Sequence, residues 1–79
     1  MRERSTNRTH LIQRRLEMQF TLQDVADRAK IGRSHYGKIE AGTREPNLTV
    51  AKNIARALES SIGALFFAHE WDATYHKWR

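Results

Sequence analysis

The stretch Thr21-Leu22-Gln23-Asp24-Val25-Ala26-Asp27-Arg28-Ala29-Lys30-Ile31-Gly32-Arg33-Ser34-His35-Tyr36-Gly37-Lys38-Ile39-Glu40-Ala41-Gly42 decides the fold. Thr21 is a natural N-cap, because its side-chain oxygen accepts from the free N–H groups of a first turn, and Asp24 favours that positive end. Leu22, Val25, Ala26 and Ala29 then fall on one apolar stripe. Lys30-Ile31-Gly32 breaks the pattern after little more than two turns. A second helix is expected from about Arg33 to Ala41, with Tyr36 and Ile39 facing inward and Gly42 as its left-handed stop. Arg33, Ser34, Gly37 and Lys38 are then left together on the outer side, at i, i+1, i+4, i+5.

Outward from this stretch, the remaining chain also reads as helical. Residues 1–8 are polar and basic and suggest a flexible arm, with Arg2, Arg4 and Arg8 able to track along a polyanion. A first helix is expected from Thr9 as N-cap, carrying Leu11, Ile12, Arg15 and Leu16. Thr43-Arg44-Glu45-Pro46 forms a loop. Asn47 caps a fourth helix with Leu48, Val50, Ala51, Ile54, Ala55 and Leu58, and Ser61 caps a fifth with Ile62, Leu65 and Phe66. These elements make one domain over 9–69. Residues 70–79 form a charged tail with Trp71, Tyr75 and Trp78. No strand pattern competes, so the fold class is all-α.

Seventy-nine residues make one small domain, and the 14 Lys+Arg against 9 Asp+Glu give a net charge of +5. The absence of cysteine excludes disulfides and thiolate metal sites and suits a reducing cytoplasm. The longest apolar run, Ala64 to Ala68, is too short for a bilayer, so no membrane role is expected. An enzyme is not expected either. Ser34-His35 lacks an oriented acid, no Gly-rich phosphate loop occurs, and His69 and His76 with Glu70 and Asp72 are too loosely spaced for a metal. No cofactor is expected.

Two short helices joined by a three-residue turn, the second rich in basic and polar residues, describe a helix-turn-helix. Its packing needs a small residue inside the first helix, which Ala26 supplies, and an apolar residue closing the turn, which Ile31 supplies. The outer face of the second helix is then the one a major groove would meet. Arg33 and Lys38 can donate to guanine O6 and N7. Ser34 lies at a helix N-terminus suited to a base or a phosphate, Gly37 permits close approach, and a protonated His35 can reach a phosphate.

The spaced set Thr21-Leu22-Gln23-Asp24-Val25-Ala26, Ile31-Gly32-Arg33-Ser34 and Ile39-Glu40-Ala41-Gly42-Thr43-Arg44-Glu45-Pro46 resembles the Cro/repressor-type (Xre-like) helix-turn-helix regulators. The similarity covers roughly Leu11 to Phe67. It implies a compact five-helix lambda-repressor-like domain with the helix-turn-helix in helices two and three, binding double-stranded DNA operator half-sites as a homodimer in bacteria or phages. It also implies backbone contacts from Thr43 and Arg44, to which Thr21 and Gln23 at the start of helix two are added as candidates. A structural ion pair between Arg15 and Glu40 follows from the same resemblance. So does a dimer contact around helix five, for which Ile62, Phe66, Phe67 and Trp71 are the candidates. Three positions depart from the pattern: Leu22 replaces a frequent phosphate-holding Gln, Lys30 the turn glycine, and Gly32 the capping Ser or Thr. The function expected is transcriptional repression by promoter occupancy. The alternative is an antitoxin-like or accessory module whose aromatic C-terminus binds a partner protein.

Overall fold

Three helix starts follow from capping side chains. In the computed structural model, which describes residues 8–67, Thr21, Asn47 and Ser61 each accept from the backbone N–H three residues on. At Thr21 the cap is reciprocal, since Asp24 Oδ2 accepts from the Thr21 N–H at 2.8 Å and Thr21 Oγ1 from the Asp24 N–H at 3.0 Å. The Thr21 N–H holds the Asp24 carboxyl below the usual carboxylate range. The helices are α1 (Thr9–Glu17), α2 (Leu22–Ala29), α3 (Arg33–Ala41), α4 (Leu48–Ala57) and α5 (Ile62–Phe66), and no strand occurs among the described residues.

The first helix corrects one expectation. Thr9 is the first helical residue and Arg8 the N-cap, with no side-chain cap. The Arg8 N–H donates to the Glu40 carbonyl at 2.8 Å while its own carbonyl accepts from Ile12. The α1 start is therefore set by a tertiary bond to α3 rather than by a hydroxyl.

Four helices end alike, each with a left-handed residue and a backward hydrogen bond closing the last turn. Gly42 takes this position after α3, but Gln19, Lys30 and Glu59 take it after α1, α2 and α4, with φ of 61°, 63° and 52°. The closing bonds are Phe20 N–H to Arg15, Ile31 to Ala26, Thr43 to Lys38 and Ser60 to Ala55. A left-handed non-glycine residue costs roughly 1–2 kcal/mol, partly offset because glycine loses more freedom on folding. Lys30→Gly is therefore expected to stabilise the domain by about 0.5–1 kcal/mol in urea unfolding. An unchanged or lower midpoint would show that the Lys30 side chain compensates its own strain.

Leu11, Val25, Ala26, Ala29, Tyr36, Ile39, Ile54 and Leu58 are fully buried, with Ala51, Ala55 and Leu65 nearly so. α2 packs on both α3 and α4, and α1 packs on α5 and α3. Ala26 lies in the core as the helix-turn-helix packing requires, and Ile31 packs half-buried against it. Leu16 and Leu48 do not join the core, as their apolar character had suggested, but stay 59% and 63% exposed. Leu16 follows Leu11 by five residues, which turns it well away from the buried face, whereas Leu48 shares a face with Ala51 and Ala55 but is the first residue of α4, at the helix end.

Candidate nucleic-acid interface

The sequence of α3 divides it into a buried and an open side. Tyr36, Ile39 and Glu40 point into the domain, whereas Arg33, Ser34 and Lys38 are exposed and His35 and Gly37 are half-buried. A Cβ built at Gly37 meets nothing within 4 Å. The domain's own packing therefore does not require glycine there, although glycine costs about 1 kcal/mol inside a helix. Gly32, the N-cap, brings no side chain to the first turn. The leading N–H groups of α3 can accordingly meet an outside acceptor, at the positive end of the helix.

The buried side of α3 holds a polar cluster. Arg15 Nε donates to Glu40 Oε2 and Arg15 Nη2 to Glu40 Oε1 at 3.1 Å, a two-pronged pair with side chains 14% and 7% exposed. Tyr36 Oη donates to the same Glu40 Oε2 at 2.7 Å, and Arg15 Nη1 donates to the Phe20 carbonyl at 3.0 Å. The bond to Glu40 raises the Arg15 pKa despite burial, and burial with the Glu40 bond raises that of Tyr36. The cluster ties α1 to the helix that carries the open face. The role of the Tyr36 hydroxyl was missed in the sequence, where the residue counted only as apolar, although Tyr36 and Glu40 stand at i, i+4.

Two further arginines of the N-terminal part are also fixed inside the fold. Arg8 belongs to the ordered domain, contrary to its assignment to a flexible arm. Its Nε donates to the Ile39 carbonyl at 2.9 Å, its Nη2 pairs with Glu45 at 2.9 Å, and its guanidinium lies 5.3 Å from the centre of the Phe66 ring. Arg14 donates to the Leu58 carbonyl at 2.8 Å and pairs with Glu17 at 3.4 Å, closing the end of α4. The two carbonyl bonds have no local sequence signal, because their acceptors lie 31 and 44 residues away; only the Arg14–Glu17 pair is local.

These pairings redistribute the charge. Between Arg28 and Arg56 the only acidic residues are Glu40 and Glu45, and both are paired with arginines from α1 or its cap. The same segment carries Arg28, Lys30, Arg33, Lys38, Arg44, Lys52 and Arg56, none in a salt bridge among the described residues. Arg28 stacks on Phe20 at 4.4 Å. α3 and its flanking turns are thus left with cations and no uncompensated carboxylate, the charge pattern of a polyanion-binding face.

The flanking candidates differ in what they can still donate. Thr21 is exposed and retains its hydroxyl proton, because its oxygen acts as acceptor in the cap. Gln23 has one amide proton engaged by Asp27 at 2.8 Å. Thr43 gives both its N–H and its hydroxyl to the Lys38 carbonyl, which leaves no donor for a phosphate in this conformation. Arg44 beside it is exposed. Ile62 and Phe66 are half-buried against the core, while Phe67 is 50% exposed. Trp71, the tail 70–79, Arg2, Arg4, His69 and His76 lie outside the described residues. Among the described residues no cluster of metal-binding side chains occurs, and no helix is long and apolar enough to cross a membrane.

Comparison with known proteins agrees with this geometry. A family model described as helix-turn-helix matches residues 11–65. The chain is 41% identical over 69 residues to the Bacillus subtilis (strain 168) protein "Uncharacterized HTH-type transcriptional regulator YqaF", a match spanning 87% of this chain and 90% of that protein. No solved structure gives a significant match.

Proposed function

From the premise that the chain belongs to the Cro/repressor-type (Xre-like) helix-turn-helix family of DNA-binding transcriptional regulators, we propose that it represses transcription by occupying operator half-sites as a homodimer. Its fold is the all-α, lambda-repressor-like one of that family. The observation that carries the reading is the open face of α3, bordered by cations whose neighbouring carboxylates are neutralised from within.

In this reading α3 enters the major groove N-terminus first. Arg33 and Lys38 donate to base edges, Ser34 contacts a base or phosphate, and Gly37 lets the helix backbone lie close to the duplex. Arg44, Thr21, Gln23 and His35 hold the phosphate backbone and set the register. No catalytic step is required. Exposed Phe67, with the half-buried Ile62 and Phe66 of α5, is the apolar surface on which a second subunit would pack, placing two α3 helices about 34 Å apart, one turn of DNA. The same surface is what a partner-binding accessory protein would use, so Phe67 favours neither reading over the other.

Selection from random duplexes, followed by footprinting, tests the proposal. A two-fold symmetric site should emerge. Arg33→Ala should then cost about 1–3 kcal/mol on that site and relax one base position, whereas Arg44→Ala should weaken all duplexes and flatten the salt slope by about one. No enrichment, or indifference to both substitutions, would reject the assignment in favour of the accessory module.

A further inference from the structure

Arg8 looks from the sequence like one more cation of a trailing arm, yet it is among the most constrained side chains of the domain. Its backbone N–H and its Nε hold two successive carbonyls at the end of α3, those of Glu40 and Ile39. Its Nη2 holds Glu45 Oε1, and its planar face lies over Phe66 of α5. The side chain is 17% exposed, against 83% for its partner Glu45. A guanidinium so engaged is not available to a phosphate. What it touches is the loop that carries Arg44.

That loop leaves α3 through Gly42, in the left-handed region at φ 82°, and is tied back by Thr43. Arg44 therefore stands between two anchors: the Thr43 bonds to Lys38 on one side and the Glu45–Arg8 pair on the other. Glu45 without Arg8 would be an exposed carboxylate next to Arg44, well within a Debye length of about 8–10 Å of whatever polyanion Arg44 meets. We propose that Arg8 is a positioning residue for DNA binding: it fixes the loop at the end of α3 and cancels the charge of Glu45, so that Arg44 faces the duplex without a repelling neighbour. The inference rests on the reading that this loop meets the DNA backbone. Lysine is no substitute, because an ammonium on a flexible stem lacks the fork that serves Ile39 and Glu45 together.

The test compares wild type, Arg8→Ala, Arg8→Lys, Glu45→Gln and Arg8→Ala/Glu45→Gln as full chains, below the melting temperature of the least stable. Affinity for the selected duplex and for an unrelated duplex is measured between 50 and 200 mM salt. Amide exchange is followed in the free proteins. Arg8→Ala should weaken both duplexes about five- to tenfold at 50 mM salt and less at 200 mM, flattening the salt slope by well under one, since a screened repulsion is exposed but no phosphate contact is lost. Adding Glu45→Gln should recover most of that loss, and Arg8→Lys should fall between wild type and Arg8→Ala. Exchange should quicken at Thr43 in both Arg8 variants while the α2 amides stay as in wild type.

A salt slope lower by about one in Arg8→Ala would make Arg8 a direct phosphate contact and overturn the inference. Unchanged affinity in Arg8→Ala, or no recovery with Glu45→Gln, would overturn it too. If wild type bound no duplex, the DNA reading would fail first. A wild type that binds, with any of these three outcomes in the variants, rejects the inference and leaves the DNA reading standing.

Discussion

Glu40→Ala is expected to lower the stability of the domain by about 3–5 kcal/mol, the cost of leaving one partner of a buried ion pair uncompensated. In a domain of this size that corresponds to a fall in Tm of roughly 12 °C or more. Glu40 is 5% exposed, and its carboxylate takes two bonds from Arg15 and one from Tyr36. Truncation strands a guanidinium and a fully buried hydroxyl at once, and the methyl of alanine satisfies neither. Tyr36→Phe removes only one donor and should cost less, about 1–3 kcal/mol, because the ring and the Arg15–Glu40 pair remain. The raised Tyr36 pKa adds a pH signature. A group whose folded pKa lies above its unfolded value contributes stability present below about pH 10 and lost as the pH rises further. Thermal melts of the three proteins at pH 7 check the order, and a Glu40→Ala melt coincident with wild type would refute the cluster as a source of stability.

Duplex affinity should fall by about 10³–10⁵ between 50 and 200 mM salt if a dimer makes roughly six to ten phosphate contacts. The expectation follows from the cations on α3, its turns and α4 that form no salt bridge among the described residues, together with the open first turn of α3. Arg8, Arg14 and Arg15 should contribute little to the slope, being bonded within the domain. Titrations with a fluorescent duplex at several salt concentrations measure the slope directly. A nearly flat line would mean that the basic segment is a solvated surface and not a nucleic-acid interface.

Much of the fold was legible because its signals are local. Thr21 with Asp24, Asn47, Ser61 and Gly42 act over three or four residues, so their spacing alone specifies where helices begin and stop. The left-handed Lys30 was legible only through the resemblance, which puts it where related chains carry the turn glycine. Gln19 and Glu59 adopt the same conformation without the glycine that would have announced it. Leu16 and Leu48 show the limit of apolar patterning: Leu16 is turned off the face that Leu11 buries, and Leu48 keeps the right face but stands at the helix end, where periodicity says nothing of what covers it. The open side of α3 was readable by elimination from Tyr36 and Ile39. The work of Arg8 and Arg14 was not, because a cation on a polar segment reads the same whether it ends in water or against a carbonyl dozens of residues away.

The three arginine–glutamate pairs also bear on kinetics. By silencing Glu40 and Glu45 from α1 and its cap, they leave the domain electrically lopsided, with α1 compensated and the α3 side not. A charge distribution of that kind turns a molecule toward a polyanion before any contact forms and raises the fraction of collisions that arrive face-on. Its effect falls on the rate of encounter, which salt slows, more than on the lifetime of the complex once formed. Side chains bonded within the domain, and not to the duplex, thus help decide how quickly the domain finds its target.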